Sequence, residues 1–282
     1  MAETVSGPVW EGRNWSSSAG EGSIHDDSTA EGLGFRGGTV AGSVHMNQFP
    51  PVLLQVFGDE WFERGNLSLV FKNATVDREP VQVFAARPSF GSHQVDVRME
   101  RTDGLLIASG TAAVGDGSQS ELQRRDLRAC DPSELLILRS VDPGMSLGRY
   151  EVVIPEDRQF ELFDSGLISD PLDWYRHGSP WGGPIACPST LVQQLWGIPM
   201  SGLRPFVGSS VGLFGAIEVG HVNGPIFVGG AYTLESQVVC VGQSPRTEYL
   251  WFDTVARGAG GRTAATLRMQ LRFMKASSPD YE

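Results

Sequence analysis

The segment 36–57, RGGTVAGSVHMNQFPPVLLQVF, decides the fold because its apolar residues recur at helical spacing. These residues are Val40, Val44, Met46, Phe49, Val52, Leu53, Val56 and Phe57. Gly58 and Asp59 follow as a stop signal, so the spacing predicts a helix over 39–57. Pro50 and Pro51 lie inside this segment and predict that the helix is kinked or split there.

Four stretches of alternating apolar and polar residues follow this helix and predict antiparallel strands. They are Leu67–Thr75, Pro80–Arg87, Gln94–Arg101 and Leu105–Val114. The dipeptides Asp77-Arg78 and Asp103-Gly104 supply turn signals between them. The predicted unit is therefore one helix followed by four strands.

The second half of the chain repeats this order at low identity, which is typical of a duplicated unit. The glycine pair at 182–183 precedes a predicted helix at Pro188–Leu195, as the pair at 37–38 precedes the first helix. Asn73 and Asn223 recur at corresponding points, where we expect turns at strand ends. The later predicted strands are Leu213–Val222, Ala231–Val241, Glu248–Val255 and Thr263–Met274.

The length of 282 residues fits two domains of the α+β class. We place them at 1–120 and 141–282. A charged, turn-rich linker over 121–140 is expected to join them.

Composition excludes several classes of partner. The net charge of −11 disfavours a nucleic-acid surface, because phosphate binding requires clustered positive charge. Cys130, Cys187 and Cys240 are far apart, so neither a disulfide framework nor a zinc site is predicted, and a cytoplasmic protein is expected. Polar residues interrupt the most apolar stretch, 211–231, so no membrane span is expected. The N-terminus lacks the features of a secretory signal.

Upstream of the first helix, His25 is followed by Gly34-Phe35 and Gly37-Gly38. This order resembles MaoC-like and R-specific enoyl-CoA hydratases, in which a D-x-N-P-x-H loop leads through an F-G-x-P-I-A-x-G element into a helix. The resemblance spans both halves of the chain. It implies a tandem, or double, hotdog fold, in which each half is an antiparallel sheet wrapped around a long central helix. It also implies a lyase that hydrates or dehydrates an acyl thioester carried by CoA or a carrier protein, without a cofactor.

The loop departs from the motif of these hydratases. Residues 20–25 read GEGSIH, so Gly20 and Gly22 stand where the motif has its aspartate and asparagine. The histidine position is kept as His25. Hydration needs a base for water, an acid for the α-carbon and donors for the enolate oxygen. The resemblance therefore implies that His25 is the general acid or base, while its usual acidic partner is missing.

Other residues near the motif are candidates for the remaining roles. Asp26 and Asp27 follow His25 directly and are the nearest candidate acids, although adjacent residues rarely converge on one substrate atom. The same sequence argument excludes a metal site at 25–27. The amides of Gly42 and Ser43, at the start of the predicted helix, are expected to hold the enolate oxygen.

Three further residues are candidates for substrate binding. Arg36 could contact the carrier arm of a thioester. His177 precedes the second glycine pair as His25 precedes the first, but at compressed spacing, so it is a weaker match, and Tyr175 is a weaker match still. His45 and His221 are expected to be structural.

The sequence leaves other functions open. An isomerase or a cyclase needs the same base and oxyanion site, whereas a thioesterase needs a carboxylate near the helix start, for which Glu31 is the candidate. A non-catalytic acyl-binding or assembly module is the alternative from another class, with Gly20 and Gly22 marking lost chemistry. The sequence also leaves open whether the chain forms a homodimer.

Overall fold

A computed structural model of the chain describes residues 3–14, 20, 22–168 and 172–282. Glu21 of the loop motif lies outside the described residues. The strands form one 11-stranded antiparallel sheet. They are β1 Thr4–Ser6, β2 Trp10–Glu11, β3 Gly65–Phe71, β4 Pro80–Ala86, β5 Gln94–Arg101, β6 Leu106–Val114, β7 Ser146–Val153, β8 Gly212–His221, β9 Ala231–Gln243, β10 Thr247–Arg257 and β11 Thr263–Met274.

The five strands of each half follow the same relative order from the outer edge of the sheet to its centre. It runs β1-β4-β5-β6-β3-β8-β11-β10-β9-β7, and β2 also pairs with β4. The antiparallel pair of β3 and β8 lies at the centre, where Ser68 is opposite Glu218. This symmetry confirms the predicted repeat of one structural unit.

The recurring asparagines confirm the repeat in detail. The Nδ2 of Asn73 donates a hydrogen bond to the carbonyl oxygen of Leu106 at 2.8 Å. The Nδ2 of Asn223 donates to the carbonyl oxygen of Thr263 at 2.7 Å. Each acceptor is the first residue of the strand next to the one that the asparagine follows. The turn at Asn73 also explains why β3 ends before the predicted end at Thr75.

The helices differ between the halves. They are α1 Asp27–Gly32, α2 Gly42–Met46, α3 Pro50–Phe57, α4 Glu60–Arg64, α5 Glu156–Asp164 and α6 Pro188–Val207, with short 3-10 helices at Pro132–Glu134, Asp173–Tyr175, Ala259–Gly261, Lys275–Ser277 and Pro279–Tyr281. In the first half, the helix predicted over 39–57 is split between α2 and α3. Pro50 is the first residue of α3, a position whose N–H has no acceptor within a helix, so the missing N–H of proline costs no hydrogen bond there.

The second half contains one continuous helix, α6, of 20 residues. It runs past the predicted end at Leu195 and includes Pro199 and Pro205. Leu203 and Val207 are buried on its later turns, so packing against the core extends the helix despite the prolines.

A buried side chain joins the two halves. Asn47, at the end of α2, accepts a hydrogen bond from the Ser189 amide at 2.9 Å and donates one to the Ser189 hydroxyl at 2.9 Å. Asn47 is fully buried, so both bonds form away from water. The first half therefore caps the start of α6.

The segment predicted as a linker crosses the face of the sheet opposite the helices. Leu122 packs with Val70 and Trp251 in an apolar cluster separate from the main core. At the far end, the buried carboxylate of Glu248 accepts hydrogen bonds from the amides of Leu136, Ile137 and Leu138. These contacts hold the segment against the sheet.

In the part of the chain that the structure describes, we find no helix with the length and apolar character needed to cross a bilayer.

Two buried histidines predict how stability depends on pH. Burial lowers the pKa of both His221 and His45 from 6.5 to about 4. Between these values the unfolded chain binds protons that the folded protein does not. The free energy of unfolding is therefore expected to be highest above about pH 6.5 and to decrease towards pH 4, by up to about 3 kcal/mol for each histidine.

Urea unfolding at about pH 7 and about pH 4.5 measures this decrease. His221 packs against the rings of Trp61 and Phe62, so His221→Phe keeps an aromatic ring there and is expected to reduce the pH dependence. His93 is exposed, and His93→Gln serves as the control. An unchanged pH dependence in His221→Phe would contradict the assignment.

Candidate active site

His25 lies in the loop before α1 and is partly buried. Its main chain is held by the Nδ2 of Asn14, which donates to the His25 carbonyl oxygen at 2.8 Å. The neighbouring Ile24 carbonyl accepts from the Thr39 amide at 3.0 Å. These bonds fix the loop against the segment that leads into α2.

The His25 imidazole is held in one tautomer. Its Nδ1 lies 2.7 Å from the Thr39 carbonyl oxygen, which can only accept, so Nδ1 carries the proton and Nε2 carries the lone pair. Burial lowers the pKa of His25 below 6.5, and the bond to Thr39 partly offsets this effect. At neutral pH the ring is therefore uncharged, and Nε2 can take a proton.

The first glycine pair allows this arrangement. Gly37 has a φ of 151°, which favours glycine. A Cβ atom at Gly38 would collide with the His25 carbonyl oxygen. The pair thus lets the segment before α2 approach the His25 loop closely.

Asp26 and Asp27 both hold the loop. Asp26 caps α1, accepting from the Thr29 amide at 2.9 Å and the Ser28 hydroxyl at 2.7 Å. The bond to Ser28, followed by those to Thr29, lowers the pKa of the Asp26 carboxyl. Asp27 accepts from the Gly38 amide at 2.7 Å. A direct role of either carboxylate in proton transfer stays a prediction.

The start of α2 presents free amides. Val44 and His45 donate to the Ala41 carbonyl oxygen. In the described part of the chain, no acceptor lies within hydrogen-bonding distance of the Gly42 and Ser43 amides. A role of these two amides as oxyanion donors stays a prediction.

The buried His45 has a structural contact, as expected. Its Nε2 lies 2.6 Å from the Thr75 hydroxyl. Its ring meets the edge of Trp10, at a centroid distance of 5.9 Å.

Arg36 lies beside the loop in a network of charges. It forms paired hydrogen bonds with Glu79, at 2.5 and 2.7 Å, and Arg101 also contacts Glu79 at 2.9 Å. Arg36 lines a surface depression of about 240 Å³ together with Thr39 and Lys72. The depression thus borders the residue that holds the His25 ring.

In the second half, Tyr175 occupies the position that corresponds to His25. The Ile185 amide donates to the Trp174 carbonyl at 2.9 Å, just as Thr39 donates to Ile24. Tyr175 is fully buried, whereas His177 is exposed, two residues further on. The compressed spacing in the sequence hid this correspondence.

The start of α6 differs from that of α2. The Cys187 amide donates to Oε1 of Gln159 at 2.9 Å. Pro188 has no N–H, and the Ser189 amide donates to Asn47. None of these three positions therefore offers a free N–H to a ligand.

The matching residues of the first half are identified by the main-chain pairing. Val40 donates to Thr75 as Ala186 donates to Ile226, so Ala41 corresponds to Cys187. No acceptor for the Ala41 amide lies among the residues that the structure describes. The first half is therefore open where the second is closed.

Two residues of these sites carry no motif signal. Asn14 lies in a loop segment rich in glycine and serine, and Gln159 lies on α5, which the sequence did not predict. Only their hydrogen bonds in the folded chain identify them.

Gly38 offers a test of the loop geometry. Gly38→Ala is expected to displace His25 and to reduce any activity that depends on it by about a hundredfold, because small displacements of a catalytic group are costly. Gly32→Ala is the matched control, since a Cβ atom there meets nothing within 4 Å. Steady-state kinetics and circular dichroism of both variants measure the effect. Equal activity in the two variants would contradict the close packing of Gly38 on His25.

Comparison with known proteins gives a fold but no closer relative. No protein-family model and no curated protein matches the chain significantly. A solved structure described as a MaoC domain protein dehydratase from Chloroflexus aurantiacus matches with a TM-score of 0.59 and 11% identity, covering 97% of this chain and 95% of that chain. A double hotdog protein from Mycobacterium tuberculosis matches with a TM-score of 0.63 and 11% identity, covering 97% and 96%.

A third solved structure, described as an oleoyl thioesterase from Lactobacillus plantarum, has a TM-score of 0.50 and 9% identity, covering 97% of each chain. At these identities the likeness concerns the fold alone. The chain therefore has the double hotdog fold seen in MaoC-like dehydratase structures, as the sequence resemblance implied. The expected long central helix is continuous only in the second half, because the first half divides it between α2 and α3.

Proposed function

We propose that the protein is a hydro-lyase that acts on an acyl thioester or a related β-hydroxy carbonyl compound at the first-half site. The single observation that carries this proposal is the contrast between the two helix starts. Among the described residues the amides of Gly42 and Ser43 have no acceptor, whereas Pro188 has no N–H and the Ser189 amide donates to Asn47. Enolate chemistry requires donors for the negative oxygen and a neutral base, and these are the roles that we give to the two amides and to His25.

The reaction can be written with one proton carrier. In the dehydration direction, Nε2 of His25 takes the proton from the α-carbon, and the Gly42 and Ser43 amides hold the negative thioester oxygen. The bond from the β-carbon to the hydroxyl oxygen then breaks, and the His25 imidazolium returns its proton to the departing hydroxide as water. Hydration is the reverse. No second acid is needed, because the proton removed and the proton returned balance.

The other candidate residues take supporting roles in this proposal. Asp26 and Asp27 position the loop. Arg36 lies on the side of the depression that would receive the CoA or carrier-protein arm. Tyr175 and His177 belong to the second half, where Tyr175 packs against Phe62 of α4 and shapes the wall between the halves.

Contacts of the carboxylates favour a lyase over a thioesterase. Glu31 is exposed on α1, while Asp26 and Asp27 accept hydrogen bonds from the loop itself. An isomerase or a cyclase would use the same base and donors, and product analysis separates these from hydration. A non-catalytic acyl-binding module would bind thioesters without turnover.

Substitution of His25 tests the proposal. With crotonyl-CoA and 3-hydroxybutyryl-CoA as probes, His25→Gln is expected to lower kcat/KM by about a hundredfold or more, because the general base is lost. His93→Gln, at an exposed site, is the control. Activity that survives His25→Gln would remove His25 from the mechanism, and thioester binding without turnover by the wild type would favour the binding module.

The pH profile gives a second test of the same residue. Only the neutral ring accepts a proton, so kcat/KM of the wild type is expected to fall as the pH decreases through the pKa of His25. This pKa lies below 6.5, so the rate is expected to hold from neutrality to below that value. An acid limb centred above 6.5 would contradict a buried, neutral His25.

A further inference from the structure

We propose that Asn14 is the positioning residue for His25, and that its short side chain leaves the Ala41 amide open to the reacting oxygen. This inference rests on the function proposed above. Asn14 lies outside the loop motif. That motif has Gly20 and Gly22 at the two positions where MaoC-like hydratases have polar residues.

Asn14 is fixed at both ends. Its main-chain N–H donates to the Asp77 carboxylate at 2.7 Å, and its Nδ2 donates to the His25 carbonyl oxygen at 2.8 Å. Its Oδ1 is buried and has no partner among the described residues. The side chain therefore holds the His25 main chain through Nδ2, while Oδ1 can accept a further hydrogen bond.

Gln159 shows what a longer amide does at the corresponding place. Its Nε2 donates to the carbonyl oxygens of Tyr175 at 2.6 Å and Ile185 at 2.9 Å. Its Oε1 accepts from the Cys187 amide at 2.9 Å. One side chain thus joins three main-chain groups and fills the second-half site.

In the first half the same three groups are divided. The His25 carbonyl accepts from Asn14, the Thr39 carbonyl accepts from the His25 ring, and the Ala41 amide has no acceptor among the residues that the structure describes. Since one carboxamide spans these groups in the second half, they lie within a similar span in the first. Asparagine is one methylene shorter than glutamine and holds only the first of them.

Among the described residues, Oδ1 of Asn14 and the N–H of Ala41 have no hydrogen-bond partner, and together they suit an oxygen that both donates and accepts. Oδ1 of Asn14 can only accept, and the Ala41 N–H can only donate. Water, or the β-hydroxyl of a substrate, can satisfy both. Asn14 thereby takes over part of the work of the polar residues missing at Gly20 and Gly22.

Two substitutions test the two parts of the proposal. Asn14→Gln is expected to close the site as Gln159 does, which lowers kcat/KM for 3-hydroxybutyryl-CoA by about tenfold or more while the thermal stability is kept or raised. Asn14→Leu is expected to release His25 and lower kcat. The controls are Asn223→Gln and Asn223→Leu, because Asn223 also donates to a main-chain carbonyl but lies in the second half, at a strand end.

Measurements that do not depend on turnover keep the inference separate from the proposed reaction. By NMR, the Ala41 amide of the wild type is expected to exchange with solvent faster than that of Cys187, and to slow down in Asn14→Gln. The ring nitrogens of His25 are expected to show the Nδ1–H tautomer in the wild type and a mixture in Asn14→Leu.

The outcomes are decisive in each direction. If Asn14→Gln leaves both Ala41 exchange and kcat/KM at wild-type values, the glutamine does not close the site and the inference fails. If Asn14→Leu keeps the His25 tautomer and kcat, Asn14 does not position the ring. If the wild type turns over no thioester, the proposed function fails, while the NMR measurements still decide the role of Asn14.

Discussion

The antiparallel pairing of β3 with β8 is the constraint on which the rest of the structure depends. It joins two copies of one unit into a single sheet and brings α2 beside α6. Asn47 then caps α6 from the other half through Ser189. The bond that stabilises the second helix also occupies one of its free amides. A symmetric fold thus produces two unlike sites.

The difference between the sites follows from what binds one feature that both halves share, the carbonyl oxygen three residues before the start of α2 or α6. The Thr39 carbonyl accepts from the His25 ring and thereby sets its tautomer. The corresponding Ile185 carbonyl accepts from Gln159. One hydrogen bond fixes the tautomer of His25 in the first half, and its counterpart holds the buried Gln159 in the second. A shared backbone therefore holds either a histidine ring or a buried carboxamide, according to the side chain that reaches it.

Periodicity predicted the fold better than it predicted the site. The bounds of β5 and β11 agree with the sequence, and the prolines correctly predicted a divided first helix. In contrast, β7 is an edge strand with charged residues pointing outward, and α5 is a polar surface helix, so neither has an apolar pattern strong enough to detect. The linker placed at 121–140 stays a prediction as a domain boundary.

The site depends on hydrogen bonds between residues far apart in the chain, which no local pattern encodes. The loop motif predicts His25 as a site residue, and the glycine pair predicts the start of the first helix. Asn14 donates to the carbonyl oxygen of His25. Because every residue has a carbonyl oxygen, the sequence does not show which one Asn14 binds. For the same reason the alignment of His177 with His25 failed, since only the main-chain bond from Ile185 to Trp174 places Tyr175 there.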